Sequence, residues 1–151
     1  MRYYKNTQYL LKKGDINFSL NKVNGNSLSN KVKPIKVYDD SLLNKFNALK
    51  DNIGKSGIYK WVHKICNKSY VGSSKDLSRR FKEYYNLNIR KVQSSNSRIN
   101  RALLDDGYDS FNLVILEYCD KNNLLEREQY YIDLLKPQYN IRAAVKDRYK
   151  R

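Results

Sequence analysis

The rhythm of apolar and polar positions divides this chain into elements. Ile58 and Val62 alternate with Tyr59, Trp61 and His63, and that period of two predicts a half-buried strand. A polar turn at Asn67-Lys68 follows, and Ser69 to Gly72 reads as the returning strand of a hairpin. Leu77, Phe81, Tyr84 and Tyr85 then recur at helical intervals and predict a helix over 75–87. Ile99, Ala102 and Leu103 predict a second helix over 97–106, stopped by Gly107. Phe111 to Leu116 is apolar and β-branched, as expected of a strand in the middle of a sheet. A last helix over 122–135 ends at Lys136-Pro137. The order β-β-α-α-β-α predicts an α/β fold, a small three-stranded antiparallel sheet flanked by helices.

Upstream of Lys55 the pattern weakens. Residues 1–38 are turn-rich around Asn24-Gly25-Asn26-Ser27, and they carry eight Lys/Arg against the single acid Asp15, so little structure is expected there. Asp39-Asp40-Ser41 offers helix caps ahead of Leu42, Leu43, Phe46 and Leu49, which predicts a short helix near 41–51. The expected organisation is a basic, partly disordered extension over 1–54, a compact domain over 55–142 and a basic tail over 143–151.

Composition narrows the partners. Of 151 residues, 30 are Lys or Arg and 15 are Asp or Glu, a formal net charge of +15. Such a surplus repels itself and favours polyanions. No apolar run approaches the roughly 20 residues of a membrane span, so nucleic acid is expected and a membrane is not. Two distant cysteines, Cys66 and Cys119, make neither a disulfide framework nor a zinc ligand set. His63 is the only histidine, which excludes a multi-histidine metal site. With 14 tyrosines, a phenol becomes a candidate proton acceptor. No secretory signal leads the chain, and residues 1–38 are richer in Lys and Asn than a transit peptide. Heavy use of Lys, Asn, Tyr and Ile suggests an AT-rich gene, as in organelles or some phages.

Glu128 stands out on its helix. At 100° per residue, Leu124, Leu125, Tyr131, Ile132 and Leu135 fall within about 60° of it, whereas Glu126 points away. A carboxylate on an apolar face either satisfies a buried Arg or Tyr, or binds a divalent cation through oxygen. Arg80 lies within about 60° of Leu77, Tyr84 and Leu87, while Arg79 turns toward solvent. An inward guanidinium suits either a salt bridge or a phosphate. Tyr59 and Tyr70 sit on adjacent strands, and a hairpin can put both hydroxyls on one face. Taken singly, each tyrosine reads more naturally as a core aromatic than as a catalyst. Lys68 is placed to lower a tyrosine's pKa.

Gly57-Ile58-Tyr59 and Tyr70-Val71-Gly72 together resemble the motif pair of the GIY-YIG nucleases, with Val for Ile in the second. The likeness continues through Lys75-Asp76-Leu77-Ser78-Arg79-Arg80-Phe81, through Glu126-Arg127-Glu128-Gln129-Tyr130-Tyr131-Ile132 and through Lys136-Pro137-Gln138-Tyr139-Asn140-Ile141. It spans about residues 55–142, with a flavour of the intron-encoded homing endonucleases of fungal mitochondria and phages. The resemblance implies a DNA endonuclease dependent on one Mg²⁺ held by Glu128. It assigns Arg80 to the transition state and Asn140 to the active site. Tyr59 is expected to take the proton from water, with Tyr70 orienting it. Lys68, Lys75, Arg79 and Tyr84 are the expected contacts to double-stranded DNA, Tyr84 standing where some relatives carry a histidine. A monomer is expected, in a mitochondrion. No recognition module of the kind such enzymes append is expected after Asn140, because only the basic residues up to Arg151 follow. Rival readings are an RNA-binding splicing helper without cleavage, a purely structural use of the tyrosines, and a repair or restriction nuclease of the same family.

Overall fold

The computed structural model describes residues 32–140. The disorder expected in the first part of the extension, and the basic tail, lie outside the described residues. In chain order the elements are β1 (Lys36–Tyr38), α1 (Lys45–Asp51), β2 (Gly57–His63), β3 (Ser69–Ser74), α2 (Leu77–Tyr85), α3 (Leu87–Gln93), α4 (Arg98–Asp106), β4 (Phe111–Tyr118) and α5 (Leu124–Leu135). The β-β-α-α-β-α core of the sequence reading is present, with two additions.

The sheet has four antiparallel strands rather than three, in the order β1-β4-β2-β3. The extra strand comes from the segment expected to be loose. Lys36, Val37 and Tyr38 pair with Ile115, Val114 and Leu113. Three residues are too few to reveal a period, and pairing with the apolar β4 decides their conformation. That pairing also joins part of the 1–54 segment to the sheet of the domain expected to begin at 55. The second addition is α3, a short helix begun by Asn86, whose side chain accepts from the backbone N–H groups of Asn88 and Ile89.

The other elements obey local chemistry. Asp76 caps α2 by accepting from the Arg79 N–H at 3.0 Å. Ser97 caps α4, and Gly107 ends it at a φ of 82°. The helix expected near 41–51 is displaced to Lys45–Asp51, and its apolar face is not the predicted one. Leu42, Leu43 and Phe46 are exposed, and Ala48 is the buried anchor.

One sheet face carries Tyr59, Trp61, Phe111, Leu113 and Ile115 into a core with Leu77, Phe81, Tyr84, Ile99 and Leu103. α5 packs on β3 and β2. Strands β2 and β4 shift register between Ile58 and Tyr59, so Ile58 faces Glu117 while Tyr59 faces Ile115. Leu116 is therefore the extra residue of a bulge. Gly57 is required at this crossing, because a β-carbon there would lie 2.2 Å from the Glu117 carbonyl oxygen.

Candidate active site

The hairpin register sets Tyr59 opposite Gly72 and Trp61 opposite Tyr70. Alternation along a strand then turns Tyr59 and Tyr70 to the same face. Their ring centroids are 6.3 Å apart. Gly72 has a steric task here. A β-carbon on it would lie 2.5 Å from the Tyr59 hydroxyl oxygen and 2.9 Å from Cε1 of Tyr70. The glycine is the floor on which the Tyr59 ring rests.

Tyr59 is fully buried, and its hydroxyl lies 3.0 Å from that of Tyr84. It also accepts from Arg80 Nε at 3.4 Å. Burial pushes the Tyr59 hydroxyl well above the ordinary tyrosine pKa, and the nearby Tyr70 adds to this while Arg80 opposes it. A phenol held protonated and away from water is a poor proton acceptor at neutral pH. Tyr59 is thus closed off from water, whereas Tyr70 is only half-buried.

Tyr84 also departs from expectation. It is 1% exposed, too deep to touch DNA. Burial and then Tyr59 raise its hydroxyl pKa as well. It belongs to the wall that holds Tyr59.

Arg80 lies between core and solvent, its side chain 32% exposed against 64% for Arg79, as the helical wheel predicts. Glu83 holds both arginines, at 2.9 Å from Arg80 Nη1 and 2.7 Å from Arg79 Nη1. Glu83 was not among the candidate residues, although its spacing of three and four from the arginines is the signal for such pairs. Arg80 Nη2 donates no hydrogen bond among the described residues. Lys68 and Lys75 are exposed, as phosphate contacts must be.

Asn140 grips the outer edge of β3. Its amide nitrogen donates to the Val71 carbonyl at 2.9 Å, and its Oδ1 accepts from the Val71 N–H at 2.9 Å. Tyr139 N–H donates to the Ser69 carbonyl at 2.9 Å beside it. Asn140 thus acts on the backbone between Tyr70 and Gly72.

Glu128 faces inward on α5 at 1% exposure, in a row with the buried Leu124 and Tyr131. Leu125, expected on the same face, is exposed. Next to Glu128, Arg127 fixes the helix to β4. Its Nε and Nη2 reach the Glu117 carboxylate at 2.8 and 2.7 Å, and the Tyr131 hydroxyl reaches the same carboxylate at 3.3 Å.

No group of three His, Cys, Asp or Glu side chains that could hold a metal ion occurs among the described residues. A closed zinc-type site therefore has no donor set there. A lone carboxylate such as Glu128 is the kind of oxygen donor a hard cation takes. No described helix is long and apolar enough to cross a membrane.

The structure thus gathers Tyr59, Tyr70, Gly72, Arg80 and Tyr84 from β2, β3 and α2, braces β3 through Asn140, and sets Glu128 on α5, the helix that packs on β3 and β2. Comparison with known proteins shows the family. Residues 55–140 match the GIY-YIG catalytic domain. "Intron-associated endonuclease 1" of Enterobacteria phage T4 is 34% identical over 88 residues, 57% of this chain and 35% of the phage protein. "Probable intron-encoded endonuclease 1" of Neurospora crassa is 28% identical over 96 residues, 61% of this chain and 30% of the fungal protein. The chain spans about a third of the length of the curated relatives it matches. Among solved structures, the catalytic domain of homing endonuclease I-TevI matches with a TM-score of 0.50 and 32% identity, over 59% of this chain and all of that domain. The chain belongs to the GIY-YIG family.

Proposed function

We propose that this chain is an endonuclease that hydrolyses phosphodiester bonds of double-stranded DNA with one divalent cation, Mg²⁺, in the manner of the intron-encoded relatives. The observation that carries the reading is Arg80, in a chain with a GIY-YIG catalytic domain. Its guanidinium is anchored on one side by Glu83 and Tyr59, and Nη2 is left to donate to a substrate oxygen.

The steps assigned to the chain follow from its geometry. The scissile phosphate lies against Arg80, whose planar fork matches the crowded, doubly charged phosphoryl group of the transition state. Water attacks phosphorus as the bond to the leaving oxygen breaks, and the leaving oxygen gains a proton. Tyr70, the hydroxyl-bearing ring nearer solvent, orients that water and takes its proton as its own phenolic proton passes to solvent. Tyr59 and Tyr84 stay protonated behind it and hold Arg80 in place. Glu128 would hold the cation, which supplies Lewis-acid stabilisation of the phosphoryl oxygens when bound. Asn140 positions the Tyr70–Gly72 backbone. Lys68, Lys75 and Arg79 contact the DNA backbone, an affinity that is salt-sensitive and blind to sequence. An organellar origin accords with the fungal relative and with the Lys-, Asn- and Tyr-rich composition. As a monomer with one site, the chain nicks one strand at a time, and a double-strand break needs a second event or a second chain.

The test is nicking of supercoiled plasmid by the wild type with Mg²⁺ or with EDTA, beside Arg80→Ala. Nicking should require the cation. Arg80→Ala should cut about a hundredfold or more slowly, with DNA binding almost unchanged because other basic residues supply affinity. Cleavage in EDTA, or a parallel loss of binding in Arg80→Ala, would refute the assignment.

A further inference from the structure

Arg90, on α3, has no part in the steps above, yet it is among the largest fully buried side chains. A guanidinium keeps its charge even when buried, so this position is costly to fill with arginine unless the charge does something. Its hydrogen bonds go to neutral acceptors. Nε and Nη2 donate to the Glu83 carbonyl at 3.3 and 3.1 Å, Nη2 also to Gln93 Oε1 at 3.1 Å, and Nη1 to Asn100 Oδ1. Asn100 is buried too and donates to Gln93 Oε1 at 3.2 Å. The end of α3 and the start of α4 therefore form a polar socket around one cation.

The socket aims the cation at the two residues that hold Arg80. Arg90 Cζ lies 4.5 Å from the centroid of the Tyr84 ring, and Arg80 Cζ lies 5.1 Å from the same centroid. Two guanidinium groups share one ring, and each gains from its negative face. The Tyr84 hydroxyl then meets Tyr59, which accepts from Arg80. The second route runs through Glu83. Arg90 binds its backbone carbonyl, while its carboxylate holds Arg80. A side chain that merely filled space would not need both contacts.

We infer that Arg90 is a positioning residue: it fixes the Tyr84 ring and the Glu83 backbone, and through them sets the position of Arg80 against the substrate phosphate. The inference rests on the endonuclease reading of Arg80. A displacement of that guanidinium by about 1 Å is enough to slow turnover on the order of a hundredfold.

The full-length chain, its Arg90→Lys variant and its Arg90→Met variant decide the matter. Lysine keeps the charge and loses the planar fork; methionine keeps volume and loses the charge. Three quantities are read: the single-turnover nicking rate in Mg²⁺, the affinity for the plasmid, and the Arg80 Nε–H resonance of the metal-free protein. Arg90→Lys, if folded as judged by its circular dichroism, should nick about tenfold or more slowly. Its DNA affinity should stay within about twofold, since the fork it loses faces inward, and the Arg80 resonance should move or broaden. In a Tyr84→Leu background, Arg90→Met should add little further loss. A wild-type rate in either folded variant overturns the inference, and so does a slower rate with an unmoved Arg80 resonance. If Arg90→Met fails to fold, Arg90→Lys carries the test. If the wild type cuts no DNA, the endonuclease reading falls, and the Arg80 resonance alone still decides whether Arg90 positions Arg80.

Discussion

A β-carbon on Gly72 would meet the Tyr59 hydroxyl, and that single contact ties sequence to chemistry. Gly72→Ala must push Tyr59 off the strand or open the hairpin. The expected cost is about 1–3 kcal/mol, the usual range for overpacking, together with a loss of nicking. Urea denaturation checks the first and a plasmid assay the second; an alanine variant with the wild-type midpoint would mean the ring is not held there. Asn140→Ala leaves both polar groups of Val71 without their side-chain partner. Orphaned groups of this kind cost about 1–3 kcal/mol, and loss of the midpoint with Asn140→Asp intermediate would mark its role as bracing. At this scale the sequence was partly legible. The inward turn of Arg80 and Glu128 was legible from the helical wheel, because helix periodicity is local. The contact between the Tyr59 and Tyr84 hydroxyls was not, because it joins a strand to a helix 25 residues on.

The helix α5 shows how an element is aimed. The Glu117–Arg127 fork ties it to β4, and Tyr131 joins the same carboxylate. Glu128 is the next residue, so the fork fixes the rotation that points it inward. Glu117→Gln should cost about 1 kcal/mol, since the pair is partly exposed, and should slow nicking more than the lost stability explains. Measuring midpoint and rate on one preparation separates the two; a rate at the wild-type level would show that α5 needs no such pin. The long periodic elements were legible in the sequence. β1 was not, since Lys36-Val37-Tyr38 becomes a strand only beside β4. Nor was α3, whose polar sequence is ordered around a buried Arg90 rather than an apolar stripe. The outward turn of Leu42, Leu43 and Phe46 was also illegible, because apolar spacing alone does not say which face meets the domain.

Across the whole molecule, buried tyrosines dominate the pH response. Tyr38, Tyr59, Tyr84 and Tyr85 all have hydroxyls raised above the ordinary value, chiefly by burial. Below about pH 10 each is protonated in both folded and unfolded chains, and the linked stability is fully present. Above that, the unfolded chain loses protons that the folded chain keeps, so stability falls as pH rises. Half-buried Lys60 has a lowered pKa and opposes the trend, but Tyr108, Tyr118, Tyr131 and Tyr139 are raised as well. The urea midpoint should therefore stay nearly level from pH 7 to 9 and fall steeply above about 10; a level midpoint through pH 11 would mean these hydroxyls reach water. The net charge of +15 favours polyanions as partners, and the proposed chemistry turns on Glu128. The decisive measurement is plasmid nicking in Mg²⁺ by the wild type and by Glu128→Ala at equal folded concentration. The wild type should nick and the variant almost not at all, with DNA binding retained. Equal nicking by both would contradict the role given to Glu128.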